Sequence, residues 1–189
     1  MENKKKLTGV VFTALFAALI AAGVFIQIPL PGGVPITIQD MLAMLSGLML
    51  GPIYGTLAVA VFLLLGIIGL PVFTGKAGIQ VLIAGPTGGF LWGYLIAAFV
   101  AGLFLSLLLP RKKVHSNIKQ YLLVAAATVL ATFIVFAGGI IGFMRVTGSG
   151  LGKTLAAVLI PFIPGNVIKI IIMIPLTKKF RPIIANYIY

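Results

Sequence analysis

The sequence predicts an all-α membrane protein with six transmembrane helices, in one integral membrane domain over residues 1–189. Three observations predict it. Hydrophobic residues make up 61% of the chain and charged residues 8%, against roughly half and a quarter in a soluble domain. The mean hydropathy is +1.23. The apolar segments are continuous runs and do not alternate, which favours helices over a membrane barrel. Lipid offers no hydrogen-bond partners, so each span must satisfy its own backbone, and a helix does so. At roughly 20 apolar residues per span the length accommodates six.

The spans follow in order. The first covers residues 7–28 and is closed by Pro29 and the Pro31-Gly32-Gly33 turn. Its apolar run, Leu7 to Leu30, exceeds the h-region of a signal peptide and reads as a retained helix. The second, 38–50, is short and ends at Gly51-Pro52. The third, 53–70, stops at Pro71, and a Gly-rich segment runs from there to Gly85. The fourth, 86–109, ends where Pro110 opens a basic loop, and the fifth covers 120–144. The sixth, 154–177, is interrupted by Pro161 and by Pro164-Gly165.

The net charge of +12 would suggest nucleic-acid binding in a soluble protein. Here the cations cluster beside apolar runs: Lys4, Lys5 and Lys6; Arg111, Lys112, Lys113 and Lys119; and Lys178, Lys179 and Arg181. Six spans put these ten on one side, against Lys76, Arg145 and Lys153 on the other. By the positive-inside rule the termini are cytoplasmic and the protein is a multi-pass component of the cell membrane, with no nucleic-acid partner. A five-span arrangement places the last cluster outside and fits worse. The external connections (29–37, 71–85 and 145–153) are long and rich in Gly and Pro, whereas Gly51-Pro52 is a minimal turn. Irregular backbone at membrane depth is tolerated where it is buried in protein or lines a cavity, which points to a site on the external side.

Residues able to carry chemistry are few. The chain has no cysteine, one histidine (His115, in the basic loop) and two acids, Glu2 and Asp40. This excludes thiolate chemistry and two-carboxylate mechanisms, and it leaves proton-driven coupling and metal binding without the residues they need. The stretch from Thr147 to Thr154, TGSGLGKT, imitates a phosphate-binding loop. It has no preceding strand and no downstream acid, so it reads as an external loop. Lys169 lies inside the sixth span, where an unpaired cation is costly. It follows Asn166 by three residues, and the two can present an ammonium and an amide to one ligand. The alternative is that Lys169 snorkels or pairs with Asp40. Thr37, Gln39 and Asp40 open the second span, and Phe73, Trp92 and Tyr94 are candidate apolar walls. Small residues recur four apart at Ala14, Ala18 and Ala22, at Gly47, Gly51 and Gly55, and at Gly85, Gly89 and Gly93. Such faces either pack helices together inside the bundle or present a docking surface.

Five blocks together resemble one family. They are VPITIQ from Val34 with GLMLGP from Gly47, GLPVF from Gly69, GPTGGF from Gly85, and PFIPGNVIK from Pro161 to Lys169. In order and spacing they resemble BioY proteins, the biotin-specific S components of energy-coupling factor (ECF) transporters. The resemblance implies a six-helix S-component fold and capture of biotin at the external face. It implies a coupling transmembrane protein and two ATP-binding subunits as partners, with Ala14, Ala18 and Ala22 matching the docking motif. It implies no cofactor, biotin being the transported ligand, and no enzymatic activity in this chain. Lys169 matches a head-group contact of the family; Asn166 stands where an Asp is expected. Lys76 or nearby loop amides are candidates for the biotin carboxylate. The alternatives are an S component for another vitamin, and a small passive channel or exporter, which needs polar groups along its whole length.

Overall fold

The computed structural model describes residues 2–30, 33–109 and 118–189. Arg111, Lys112, Lys113 and His115 of the basic loop, and Pro31-Gly32 of the first turn, lie outside the described residues. The order is α1 (Glu2–Ala22), a hairpin of β1 (Gln27–Ile28) and β2 (Ile36–Thr37), α2 (Gln39–Ile67), α3 (Ile79–Ala84), α4 (Gly88–Leu108), α5 (Ile118–Thr147), α6 (Leu151–Val158) and α7 (Ile163–Ile188). Five helical segments are long and apolar enough to cross a membrane.

The longest of the apolar helices before α4 is in fact two. Inside α2, Gly51 has φ 83° and ψ −176°, far from helical values, and Pro52 follows. The chain reverses there. The Ser46 hydroxyl donates to the Gly55 carbonyl at 3.0 Å, and the Gly55 α-carbon faces the Gly47 backbone. Residues nine apart in one straight helix are separated by roughly 13 Å along its axis, so this contact requires antiparallel halves. Residues 39–50 and 52–67 therefore form two antiparallel helices, so the described residues hold six main helical segments, α6 and α7 counted as one.

Several boundaries differ from the sequence-based ones. The first helix begins in the basic segment at Glu2 and gives way after Ala22 to a 3₁₀ turn and the hairpin, whose register pairs Gln27 with Thr37 and Ile28 with Ile36. The sixth region divides: α6 ends at Val158, a 3₁₀ turn holds Ile160–Phe162, and α7 continues through the last basic cluster to Ile188. Pro164 sits in the first turn of α7, where a missing N–H costs nothing. The basic residues near its other end are accommodated by partners. Arg181 donates to the carbonyls of Leu105 and Leu109 at 2.9 and 3.0 Å, satisfying the end of α4, and the Lys178 ammonium lies 3.4 Å from the centroid of the Tyr121 ring.

The two glycine series pack inside the bundle. A side chain at Gly47 would enter the backbone of Ala98, and one at Gly89 would enter the backbone of Gly138 and Gly142. These are the α2–α4 and α4–α5 contacts, the most extensive helix pairs among the described residues, and close backbone approach is what small residues supply in lipid. The alanines of α1 differ: Ala14, Ala18 and Ala22 are exposed, beside exposed Leu15 and Leu19. The outer girdle (Leu57, Ile96, Phe133, Ile171 among others) is apolar because lipid, not water, is its solvent.

Both terminal segments lie at one end, with the Gly51 reversal. The Lys5 ammonium donates to the Tyr189 carbonyl at 2.7 Å, and the Tyr189 hydroxyl donates to the Leu50 carbonyl at 2.8 Å. The hairpin, the Phe73–Lys76 turn, the α3–α4 junction and the start of α7 gather at the opposite end. Gly47→Val is expected to lower stability by about 1–3 kcal/mol through overpacking against α4. Gly152→Ala, with open space at the added carbon inside α6, keeps or slightly raises the thermal unfolding midpoint in detergent, since alanine is the better helix former. Equal midpoints for the two variants would contradict the packing assigned to Gly47.

Candidate functional site

The hairpin end of the bundle carries two adjoining cavities. The inner one is a chamber of about 30 Å³ lined by Thr37, Gln39, Asp40, Phe73, Tyr94 and Lys169, with Val34, Pro35, Thr74, Thr87, Leu91 and the rings of Phe90, Phe136 and Phe162. The outer one is a more open basin of about 570 Å³ with Gln27, Lys76, Gln80 and Pro86 on its walls. Pro35, Thr74 and Thr87 belong to both, so the two meet at these residues.

The chamber is built around one ion pair. Asp40 lies in the first turn of α2, where the helix dipole favours a carboxylate. Lys169 lies in the second turn of α7, and its Nζ is 2.8 Å from both Asp40 oxygens. Both side chains are 9% exposed. An isolated charge at that depth is strongly disfavoured, so each needs the other.

Neighbouring polar groups hold the pair in place. The Gln39 amide donates to the Ile20 carbonyl at 3.0 Å and to the Val72 carbonyl at 2.9 Å. Ile20 lies in the last turn of α1, whose carbonyls lack helical partners, so Gln39 caps that helix and ties it to the segment after α2. The Thr37 hydroxyl accepts from the Gln39 backbone N–H at 3.3 Å. Phe73 is fully buried over Gly66, against Phe62 with ring centroids 5.6 Å apart. The Phe73 and Lys76 backbones pair reciprocally at 3.0 Å, and Thr74 between them has φ 51°. Phe90, Phe136 and Phe162 form an aromatic wall with centroids 5.7–6.4 Å apart, and Gly139 leaves the space that the Phe90 ring fills.

Of the residues singled out from sequence, Thr37, Gln39, Asp40, Phe73, Tyr94 and Lys169 converge on the chamber. Lys76 stands on the basin wall instead. Asn166 is buried but is not among the lining residues; its amide donates to the Phe162 carbonyl at 2.8 Å, and its Oδ1 has no partner among the described residues. Trp92 is half-exposed on a separate groove with Arg145. The aromatic wall was not singled out from sequence as part of the site. Phe90 and Phe162 fall within the motif blocks, but Phe136 carries no local signal that separates it from a packing residue. The glycine-rich loop before α6 follows a helix, not a strand, so it lacks the setting of a phosphate-binding loop.

The arrangement offers a small neutral polar pair in an aromatic enclosure, opening to a basin with a cation on its rim. That suits a ligand with an uncharged hydrogen-bonding head and a charged tail.

Comparison with known proteins gives a consistent result. A model described as the BioY family matches residues 1–186. The biotin transporter BioY of Rhodobacter capsulatus is 41% identical over 181 residues, 91% of this chain and 90% of that protein. The biotin transporter BioY of Thermotoga maritima is 41% identical over 159 residues, 84% of this chain and 86% of that one. Among solved structures, the S-component for biotin from an ECF-type ABC transporter superimposes with a TM-score of 0.83 at 32% identity, covering 96% of this chain and 94% of the other.

Removing one member of the ion pair strands the other. Lys169→Met is expected to destabilise the protein by about 3–5 kcal/mol, whereas Lys169→Met/Asp40→Asn recovers most of the loss. Thermal unfolding in detergent reads both. A double variant no more stable than the single one would contradict the pairing.

Proposed function

The chain belongs to the BioY family, and from that membership we propose that it is the substrate-binding S component of an ECF-type importer, capturing biotin. The observation that carries the reading is the convergence of Asp40, Lys169 and the Phe90–Phe136–Phe162 wall on one end of the bundle. Biotin combines a ureido ring, a thioether ring and an aliphatic acid. The ureido group donates and accepts, matching carboxylate and ammonium; the rings match the aromatic wall; the acid reaches toward Lys76 in the basin. Asn166 contributes from behind, through its free Oδ1. The inner chamber as it stands holds about one water molecule, so ligand entry widens it and joins it to the basin.

The site faces outward, with both termini in the cytoplasm. The support is the charge bias along the sequence: the terminal clusters lie at the end opposite the chamber. Energy for import comes from partners: a coupling membrane protein and two ATP-binding subunits. The exposed Ala14, Ala18 and Ala22 on α1 form the docking face for the coupling protein, since small residues let a foreign helix approach closely.

A passive channel fits less well. Below the chamber, Met44, Leu48, Phe62, Ala98 and Ala131 are fully buried, and the buried Ser46 and Thr128 give their hydroxyls to backbone carbonyls of the bundle. A pore needs polar groups along its length.

Calorimetry on the purified protein in detergent is expected to give saturable biotin binding. Binding of a different vitamin with none of biotin would overturn the assignment. Lys169→Ala is expected to weaken binding by about 1.5–3 kcal/mol, the loss of a charged hydrogen bond. Ala18→Trp is expected to abolish ATP-dependent uptake and co-purification with the coupling protein while leaving biotin binding intact. Undiminished uptake would refute the docking role.

A further inference from the structure

The pairing of Lys169 has a consequence for what the chamber accepts. Of the two acids in the chain, Glu2 lies in the first turn of α1, at the terminal end, and Asp40 is the other. Asp40 is thus the carboxylate available to the hairpin end, and both of its oxygens contact Lys169. Asn166, one turn before Lys169, cannot take its place: an amide carries no charge, and one of its two N–H groups is given to the Phe162 carbonyl. The two N–H donors of the Gln39 amide are given to Ile20 and Val72.

We propose that Asp40 is the charge selector of the inner chamber: by neutralising Lys169 it admits an uncharged group that both donates and accepts, and turns an anion away. The proposal rests on the biotin reading for the identity of that group, but not for the selection itself. An ammonium has three donors and a carboxylate about four acceptor positions. After the mutual contacts, the pair retains one donor and about two acceptor positions. An N–H and a carbonyl held side by side satisfy these. A carboxylate satisfies only the donor, and it must lie against the Asp40 oxygens in a site that is 9% exposed, where like charges are weakly screened. The anionic end of a ligand therefore stays in the basin, where Lys76 lines the wall without a carboxylate among its neighbours there.

The test is chemical rescue. Asp40→Ala leaves a hole beside Lys169 that formate fits in size and charge, while formamide fits in size alone. Three proteins are compared in detergent: wild type, Asp40→Ala, and Asp40→Ala/Asn166→Asp, which returns a carboxylate one turn from Lys169. Sodium formate, formamide and sodium chloride at equal concentration are the probes. Asp40→Ala is expected to bind biotin roughly tenfold or more weaker than wild type. Formate, unlike formamide or chloride, should raise its unfolding midpoint and recover biotin affinity. The wild type should respond to none of the three, and the double variant should bind biotin within about threefold of wild type. Rescue by formamide as strong as by formate would overturn the proposal, as would formate competing with biotin in the wild type. If Asp40→Ala does not fold, Asp40→Asn decides, since it keeps the shape of the side chain without its charge: biotin affinity equal to wild type refutes the selector role. If wild type binds no biotin while formate still stabilises Asp40→Ala selectively, the biotin reading falls and the charge-selector assignment stands.

Discussion

A lysine placed inside a membrane bundle must reach water, lose its proton or find an anion. In this protein it finds Asp40, and much of the hairpin end follows from that. For the 2.8 Å contacts to form, the start of α2 and the second turn of α7 must meet, although the residues are 129 apart in sequence. Gln39, adjacent to Asp40, then fastens α1 and the Val72 segment to the same point. Three parts of the chain are thereby tied at one locus, and the aromatic wall closes the space around it. The remainder of the bundle is held by backbone-to-backbone approach at Gly47, Gly55, Gly89 and Gly93, together with hydrogen bonds from Ser46, Arg181 and Tyr189 to backbone carbonyls.

The fold was legible because lipid imposes a simple rule. Each crossing needs an apolar run, and Pro or Gly marks where a run stops. The Gly51-Pro52 reversal is visible in sequence for that reason, although the helix on either side is nearly continuous. Boundaries were less legible where the rule is silent. Val24, Phe25, Ile26 and Ile28 suit a strand as well as a helix, so apolarity could not reveal the turn and hairpin that follow Ala22. The extension of α7 was hidden because the apolar run stops at Thr177, before the basic cluster of Lys178, Lys179 and Arg181. Tertiary partners decide otherwise: Arg181 completes the end of α4, and Lys178 stacks on Tyr121.

The candidate chamber was legible in its scarce residues and opaque in its common ones. An acid and a lysine in a chain with almost no charge inside its spans stand out, and they meet. Phe136 does not stand out among 13 phenylalanines. Spacing was also an incomplete guide. Asn166 and Lys169 share roughly one side of a helix, but three residues turn by about 300°, which leaves the two some 60° apart. Lys169 reaches the chamber, while the Asn166 amide is taken up by Phe162.

Chamber and basin together describe a site divided by charge: a neutral pair inside and a lysine on the outer wall. The most direct test is a crystal structure of the protein with biotin, the ligand sulfur located by its anomalous scattering. The account predicts the sulfur within the Phe90–Phe136–Phe162 enclosure, the ureido group on Asp40 and Lys169, and the acid toward Lys76. A ligand seated wholly in the basin, or reversed with its carboxylate against Asp40, would contradict it.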